Sequence, residues 1–332
     1  MDHASLRPHV LKRFAPLLLL LAAALVYWPG LSGGFLFDDF PNIVQNPRVQ
    51  AETLDLASLD RAARGYQPGS YGRPLATIGF AVDYAIGGKD ATVFKVHSLL
   101  VHLLNVWLVF LLVRRLAAST GGDETRPPWF AFAVALVWAI HPLQVSTVLY
   151  VVQRMEMLAT LFVLLALLAY LRGRRMQQAG GSGGGIWLVG SVLLAVVGML
   201  AKETAALFPL FALALELTVL RFAAPERTRR LLVTGYSVGL AVAMLVFVAV
   251  VLPRYLDPSA YQNRDFDAVD RVLTQLRVLS MYLGQIVLPL PDRMPFYYDD
   301  FTTSRGLLAP ASTLAGGLFL AALAAGAWLA RR

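Results

Sequence analysis

No cysteine occurs among the 332 residues. Its absence excludes disulfides, thiol catalysis and cysteine-ligated metals. Charge is also scarce: 15% of residues are charged and 57% hydrophobic, with a mean hydropathy of +0.60. A soluble domain of this length cannot hide so much apolar side chain, so the excess reads as lipid-facing surface. Acids are the scarcer sign, 21 Asp and Glu against 29 Lys and Arg, which leaves a net charge of +8. Nucleic acid is a poor explanation for that excess. The arginines cluster at the ends of apolar runs, where the positive-inside rule puts them. The glycine-rich "GGSGGG" at 180–185 lacks a following Gly-Lys-Ser/Thr, so it reads as a flexible cytoplasmic linker and not as a phosphate-binding loop. The first apolar run has a basic flank (Arg7, Lys12, Arg13), as a signal peptide would. "YWPGLSGGF" after it offers no clean small-x-small cleavage site, so the run reads as a retained first span.

What the chain has in abundance is long apolar runs. Crossing a bilayer takes about 20 such residues. Candidates lie near 13–29, 93–113, 128–145, 154–171, 186–201, 203–220, 231–253 and 309–329. The expected fold is an all-α polytopic membrane protein, a single transmembrane domain over 1–332 with about eight spans. Basic clusters at 114–115, 172–175, 221–230 and 331–332 place those ends in the cytoplasm. The segment 30–92 then forms a long first external loop, and 254–308 a second one. The apolar stretch 269–288, interrupted by Arg277 and Gln285, must not cross if the ends are to alternate, so it is laid on the outer surface.

This layout gathers polar residues at one side. Asp38 and Asp39 stand just past the first span. Adjacent carboxylates repel, so one pKa should rise; the pair suits a general base, a divalent cation, or merely a solvated loop start. Lys202-Glu203 interrupts an apolar hairpin, either as an interfacial turn or as a cation facing an anionic substrate. Arg154, beside Gln153 and Glu156, opens the fourth span; a guanidinium suits phosphate, or snorkels to the interface. His102 and Asn105 share one face of the second span and read chiefly as interhelical hydrogen-bond donors. His141-Pro142 reads as a helix stop.

Five strings carry a wider resemblance: "FLFDDFPNIVQNPRV", "GYQPGSYGRPLATIGFAVDYAIGG", "HLLNVWLVFLLVRRL", "WAIHPLQVSTVLYVVQRMEMLATLF" and "AKETAALFPL". In order and spacing, over residues 10–305, they resemble the membrane part of the transmembrane and tetratricopeptide-repeat O-mannosyltransferases (the TMTC family) and their bacterial relatives. The resemblance implies a GT-C-like transmembrane bundle and a membrane glycosyltransferase using a polyprenyl-phosphate-linked sugar donor. It implies transfer to a protein or glycan acceptor at the periplasmic face of a bacterial inner membrane. By that analogy Asp38 is the general base of an inverting displacement and Asp39 orients the acceptor. Lys202, Arg154 and Arg73 are candidates for the donor phosphate, with Glu203, His141, Gln153, His102 and Asn105 supporting. The resemblance fixes no cofactor and leaves metal dependence open; if a cation takes part, Mg2+ or Mn2+ on Asp38 and Asp39 is the candidate. Membrane lipids are the remaining partner. The chain departs from the pattern in having Lys95 and Ser98 where relatives often have histidine and asparagine. Within 1–332 there are none of the 34-residue helical repeats. The competing functions are a carrier of lipid-linked sugars and an inactive assembly subunit. Polar residues along a whole translocation path would favour the carrier; here they crowd one end.

Overall fold

The computed structural model describes residues 7–66, 72–119 and 129–330, with side chains from Phe14 onward except that of residue 119. The terminal arginine pair 331–332, residue 128 of the third run and residues 67–71 of the first loop lie outside the described residues. The chain forms two compact units, Met1–Glu226 and Arg227–Arg332. Regular structure is helical throughout, with no strand among the described residues.

The first unit holds α1 (Arg7–Tyr27), α2 (Leu56–Ala63), α3 (Pro74–Gly87), α4 (Ala91–Ser119), α5 (Trp129–Ala139), α6 (Gln144–Leu149), α7 (Arg154–Gln178), α8 (Gly184–Met199) and α9 (Phe208–Leu215). Helix α4 packs against α1, α5 and α7, and α7 packs against α8. The apolar seam of α1, α4 and α5 is built from Leu19, Ala23, Val106, Phe110, Ala131 and Ala135. Alanines on α5 let the backbones approach closely, as small residues do where lipid supplies no hydrophobic drive. The α7–α8 contact is closer still. A Cβ on Gly173 would lie 2.7 Å from the Gly184 carbonyl oxygen, and one on Gly184 would lie 2.7 Å from that of Gly173. The expected linker at 180–185 is therefore a tight turn. Gly180 and Gly183 take positive φ, and α8 starts inside the run at Gly184.

Six segments are long and apolar enough to cross a membrane: Phe14–Ser32, Ala91–Ala118, Val151–Gln178, Glu203–Leu220, Glu226–Leu256 and Ser312–Ala330. The protein is an all-α polytopic membrane protein. Six of the eight expected runs match these segments; the runs at 128–145 and 186–201 fold as the shorter helices α5 and α8. One apolar helix appears where sequence reading placed only loop: α3, starting with Pro74 at its first turn.

The second unit holds α10 (Glu226–Val246), α11 (Leu252–Leu256), α12 (Ala268–Val287) and α13 (Ser312–Ala330). Asp267 and Asp270 close a reciprocal cap at the start of α12. Gly316 of α13 lies against the backbone of Leu276, so α12 and α13 pack as a close pair.

Candidate active site

The segment "LFDDFPN" folds into a tight turn that separates its two carboxylates. Phe37 has φ +35°, a conformation that costs a non-glycine residue strain. The turn is held from several sides. Asp39 N–H donates to Leu36 O at 2.8 Å, and Asn42 donates both its backbone N–H and its Nδ2 to Asp38 O. The result is an inequality between neighbours. Asp39 is fully buried, whereas Asp38 is exposed.

Asp39 accepts from Leu36 N–H at 3.0 Å through Oδ2 and from Val152 N–H at 2.7 Å through Oδ1. It thus pins the first loop to the turn that precedes α7. Burial pushes its carboxyl above the ordinary range, while the backbone N–H groups and the nearby Lys95 pull the other way. Both oxygens are spent inside the protein, and no group of three metal-ligating residues occurs among the described residues. With both Asp39 oxygens taken by backbone N–H groups, only Asp38 of the pair is left to a cation, a donor set that fits Mg2+ or Mn2+ poorly.

Asp38 is held by Tyr150, the last residue before that turn. Its N–H donates to the Tyr150 phenol oxygen at 2.8 Å. Burial and the adjacent acids push the Tyr150 phenol up to about 12. At neutral pH it remains a protonated donor.

Beneath the turn lies an apolar floor of Ile43, Phe80, Phe94, Val151, Val152 and Met155. Inside it sits a buried ionic knot. Arg154 pairs with Asp83 of α3, which also contacts His97 of α4. Arg154 is 3% exposed, and its guanidinium lies 4.8 Å from the centre of the Phe80 ring. Expected at the donor phosphate, Arg154 instead has its charge committed to Asp83. Sequence reading passed over Asp83; the only signal was a lone carboxylate in the apolar helix "LATIGFAVDYAIG".

At the rim, Arg73 and Lys202 form a second cluster. Arg73 Nη2 donates to Glu203 Oε1 at 2.9 Å, and Lys202 Nζ lies 2.8 Å from Glu156 Oε2. Arg73 also stacks on Tyr66 at 4.2 Å, and its buried Nε has no hydrogen-bond acceptor. Tyr66 feels the charges of Arg73, Glu203 and Asp38 together, so the Asp38 carboxylate and the Arg73–Glu203 pair share one neighbourhood. Gln153 is the half-buried N-cap of α7.

The other expected supporting residues lie apart. His102 bonds the Ala139 carbonyl at 3.0 Å and stacks on Trp138, and Tyr27 donates to the same carbonyl at 2.8 Å. Asn105 donates to Met157 O at 2.9 Å. These side chains tie α1, α5 and α7 to α4. His141 accepts from Leu143 N–H at 3.2 Å in the turn after α5.

No family model matches the chain, and no solved structure does. Curated proteins do match. The chain is 32% identical to the protein O-mannosyl-transferase Tmtc2 of Drosophila melanogaster over 189 residues, 55% of this chain and 19% of that protein. It is 33% identical to the protein O-mannosyl-transferase TMTC4 of Homo sapiens over 184 residues, 52% of this chain and 25% of that protein. Drosophila Tmtc1 is 31% identical over 55% of this chain and 20% of its own length. The match spans about a fifth to a quarter of the length of these relatives. Over somewhat more than half of its residues, the chain is similar to the TMTC protein O-mannosyl-transferases.

Proposed function

We propose that the protein is a membrane glycosyltransferase of GT-C type, which moves a sugar from a polyprenyl-phosphate donor to a hydroxyl of a protein acceptor. The observation that carries this reading is the asymmetry at 38–39. Asp38 is exposed and held by a neutral phenol, next to a carboxylate buried as a staple. That is the setting of a positioned general base. In the proposed reaction the acceptor hydroxyl gives its proton to the Asp38 carboxylate. Its oxygen bonds to the anomeric carbon from the face opposite the phosphate, the carbon–oxygen bond to phosphate breaks, and configuration inverts. Polyprenyl phosphate leaves with more negative charge than it carried as a diester. Fixed cations that meet this charge favour the transition state over the bound donor. Arg73, with its unpaired Nε, and Lys202 are the residues proposed for that role. Arg154 is proposed to act one layer below, positioning the start of α7. The site is proposed to face the periplasm of a bacterial inner membrane.

Relatives named as O-mannosyl-transferases make mannose the first sugar to try. The purified chain, given polyprenyl-phosphate mannose and other polyprenyl-phosphate sugars, should transfer or slowly hydrolyse at least one. Asp38→Asn should bind the donor and lose turnover. A chain that binds donors but never releases sugar, in wild type as in Asp38→Asn, would sink the enzyme reading in favour of a carrier or assembly subunit.

A further inference from the structure

Within the second unit, one face of α12 and the segment 298–303 enclose a groove of about 380 Å3. Positions 271, 274, 275, 278, 281 and 282 supply the helix side, the spacing of a single helical face. Arg264 and Arg271 stand at one end, Val278 and Met281 in the middle, and Tyr282 and Tyr298 at the other. No carboxylate lines it. The guanidinium of Arg264 lies on the Phe266 ring and that of Arg271 on the Tyr255 ring, which fixes both while leaving their N–H edges to a ligand. Asp265, Asp299 and Asp300 adjoin the groove in sequence without lining it, and two further acids are engaged elsewhere. Asp270 pairs with Arg305, and Asp267 caps α12.

We infer that this groove docks an extended polypeptide segment with acidic residues at one end and apolar or aromatic ones beside them. The two charged side chains that line the groove are both arginines, complementary to an anion. The wall composition is that of protein interfaces, where aromatics, methionine and arginine are enriched, and methionine adapts to varied side chains. The helix face from 271 to 282 is roughly 16 Å long, at 1.5 Å per residue. It matches about five residues of extended chain. The inference deepens the reading above, on which it rests for taking the segment to be the acceptor. It adds that acceptors are selected by local acidity, at a site separate in sequence from Asp38.

The test uses the full chain in neutral-lipid nanodiscs with no donor present. Fluorescent ten-residue peptides, acidic, neutral or basic around one tyrosine, are titrated by anisotropy. The acidic peptide should bind best and weaken as salt is raised, because exposed charges are screened. Arg264→Glu with Arg271→Glu should weaken it about tenfold or more, since like charges then face each other across the interface. The double lysine variant should keep most of the affinity, which separates lost charge from lost fold. Equal binding of acidic and basic peptides, or salt-independent binding, overturns the proposal. So does groove-dependent binding of anionic lipid vesicles without any peptide binding, which would make it a lipid site. Donor hydrolysis measured without peptide reports on the enzyme reading alone, so either idea can fail without the other.

Discussion

At positions 38 and 39 two identical side chains receive opposite environments from one strained residue. Phe37 turns the backbone so that Asp39 faces inward and Asp38 outward. Their substitutions should therefore fail differently. Asp38→Asn should fold normally and lose on the order of 10²–10⁴ in transfer rate, the usual reach of a general base. Asp39→Asn should be a folding lesion. One amide N–H would face a backbone N–H, and a buried unsatisfied donor costs about 1–3 kcal/mol. Its pH dependence has a definite sign. The folded carboxyl titrates above its usual value of 3.8, so the folded chain holds that proton longer than the unfolded one. Stability from this group then falls as pH rises through the interval above 3.8 and levels off beyond it. The advantage of wild type over Asp39→Asn should narrow across that interval in thermal melts. Equal Tm values at every pH would show that the staple contributes nothing. Tyr150→Phe should lower turnover, because the Asp38 N–H loses its acceptor and the turn that presents the carboxylate loosens. Wild-type turnover in Tyr150→Phe would show that the phenol does not position Asp38. Two acids at a membrane rim are legible in the sequence. Their inequality is not, since it arises from a backbone angle and from Val152, more than a hundred residues away.

Among the elements, α7 carries the most ionic structure. Arg154 at its start pairs with Asp83, and Arg174 near its end pairs with Glu216, each group nearly or wholly buried. The second pair is fully furnished. Glu216 also accepts from Tyr170 at 2.6 Å and from Phe222 N–H at 3.1 Å, and Arg174 donates to Gln177 and Ala223. Removing one partner of such a pair leaves a buried charge, at a cost of about 3–5 kcal/mol. Asp83→Leu should thus be severely destabilising, and Asp83→Leu with Arg154→Met should regain much of the loss. No recovery in the double variant would show that the pair is not the relevant unit. Arg154→Lys separates two roles. It should destabilise through the lost fork and ring stacking, with donor affinity unchanged; a selective loss of donor affinity would return Arg154 to the phosphate. Sequence periodicity locates α7 and its apolar face well. It cannot pair Asp83 with Arg154, because nothing local in either string refers to the other. The i, i+3 pair His102 and Asn105 is easier to read, since polar groups inside an apolar helix must find partners across it.

For the whole molecule, composition alone makes the all-α membrane class legible, because 57% hydrophobic residues leave few alternatives. The count of full-length spans is less so. Helices α5 and α8 have apolar sequence but only 11 and 16 residues, short of the roughly 20 that cross unaided. Helix α3 was hidden inside a presumed loop. Sidedness can be measured directly, since a chain without cysteine gives no background. Single cysteines at the exposed positions Ala57 and Ser259 should react with an impermeant thiol reagent added outside intact cells, and one at Ser182 should not. Labelling of Ser182→Cys alone would invert the layout and put Asp38 in the cytosol.

The buried pair of Asp83 and Arg154 also constrains how the chain is made. Asp83 leaves the ribosome long before Arg154, and neither charge can partition into lipid alone without a large penalty. The helix bearing the acid must wait in a hydrated or proteinaceous setting until its cation arrives. Docking of α3 then becomes a step taken with α4 and α7 together. A chain stopped before Arg154 should stay crosslinkable to the insertion machinery through α3. One stopped after α7 should be free of it.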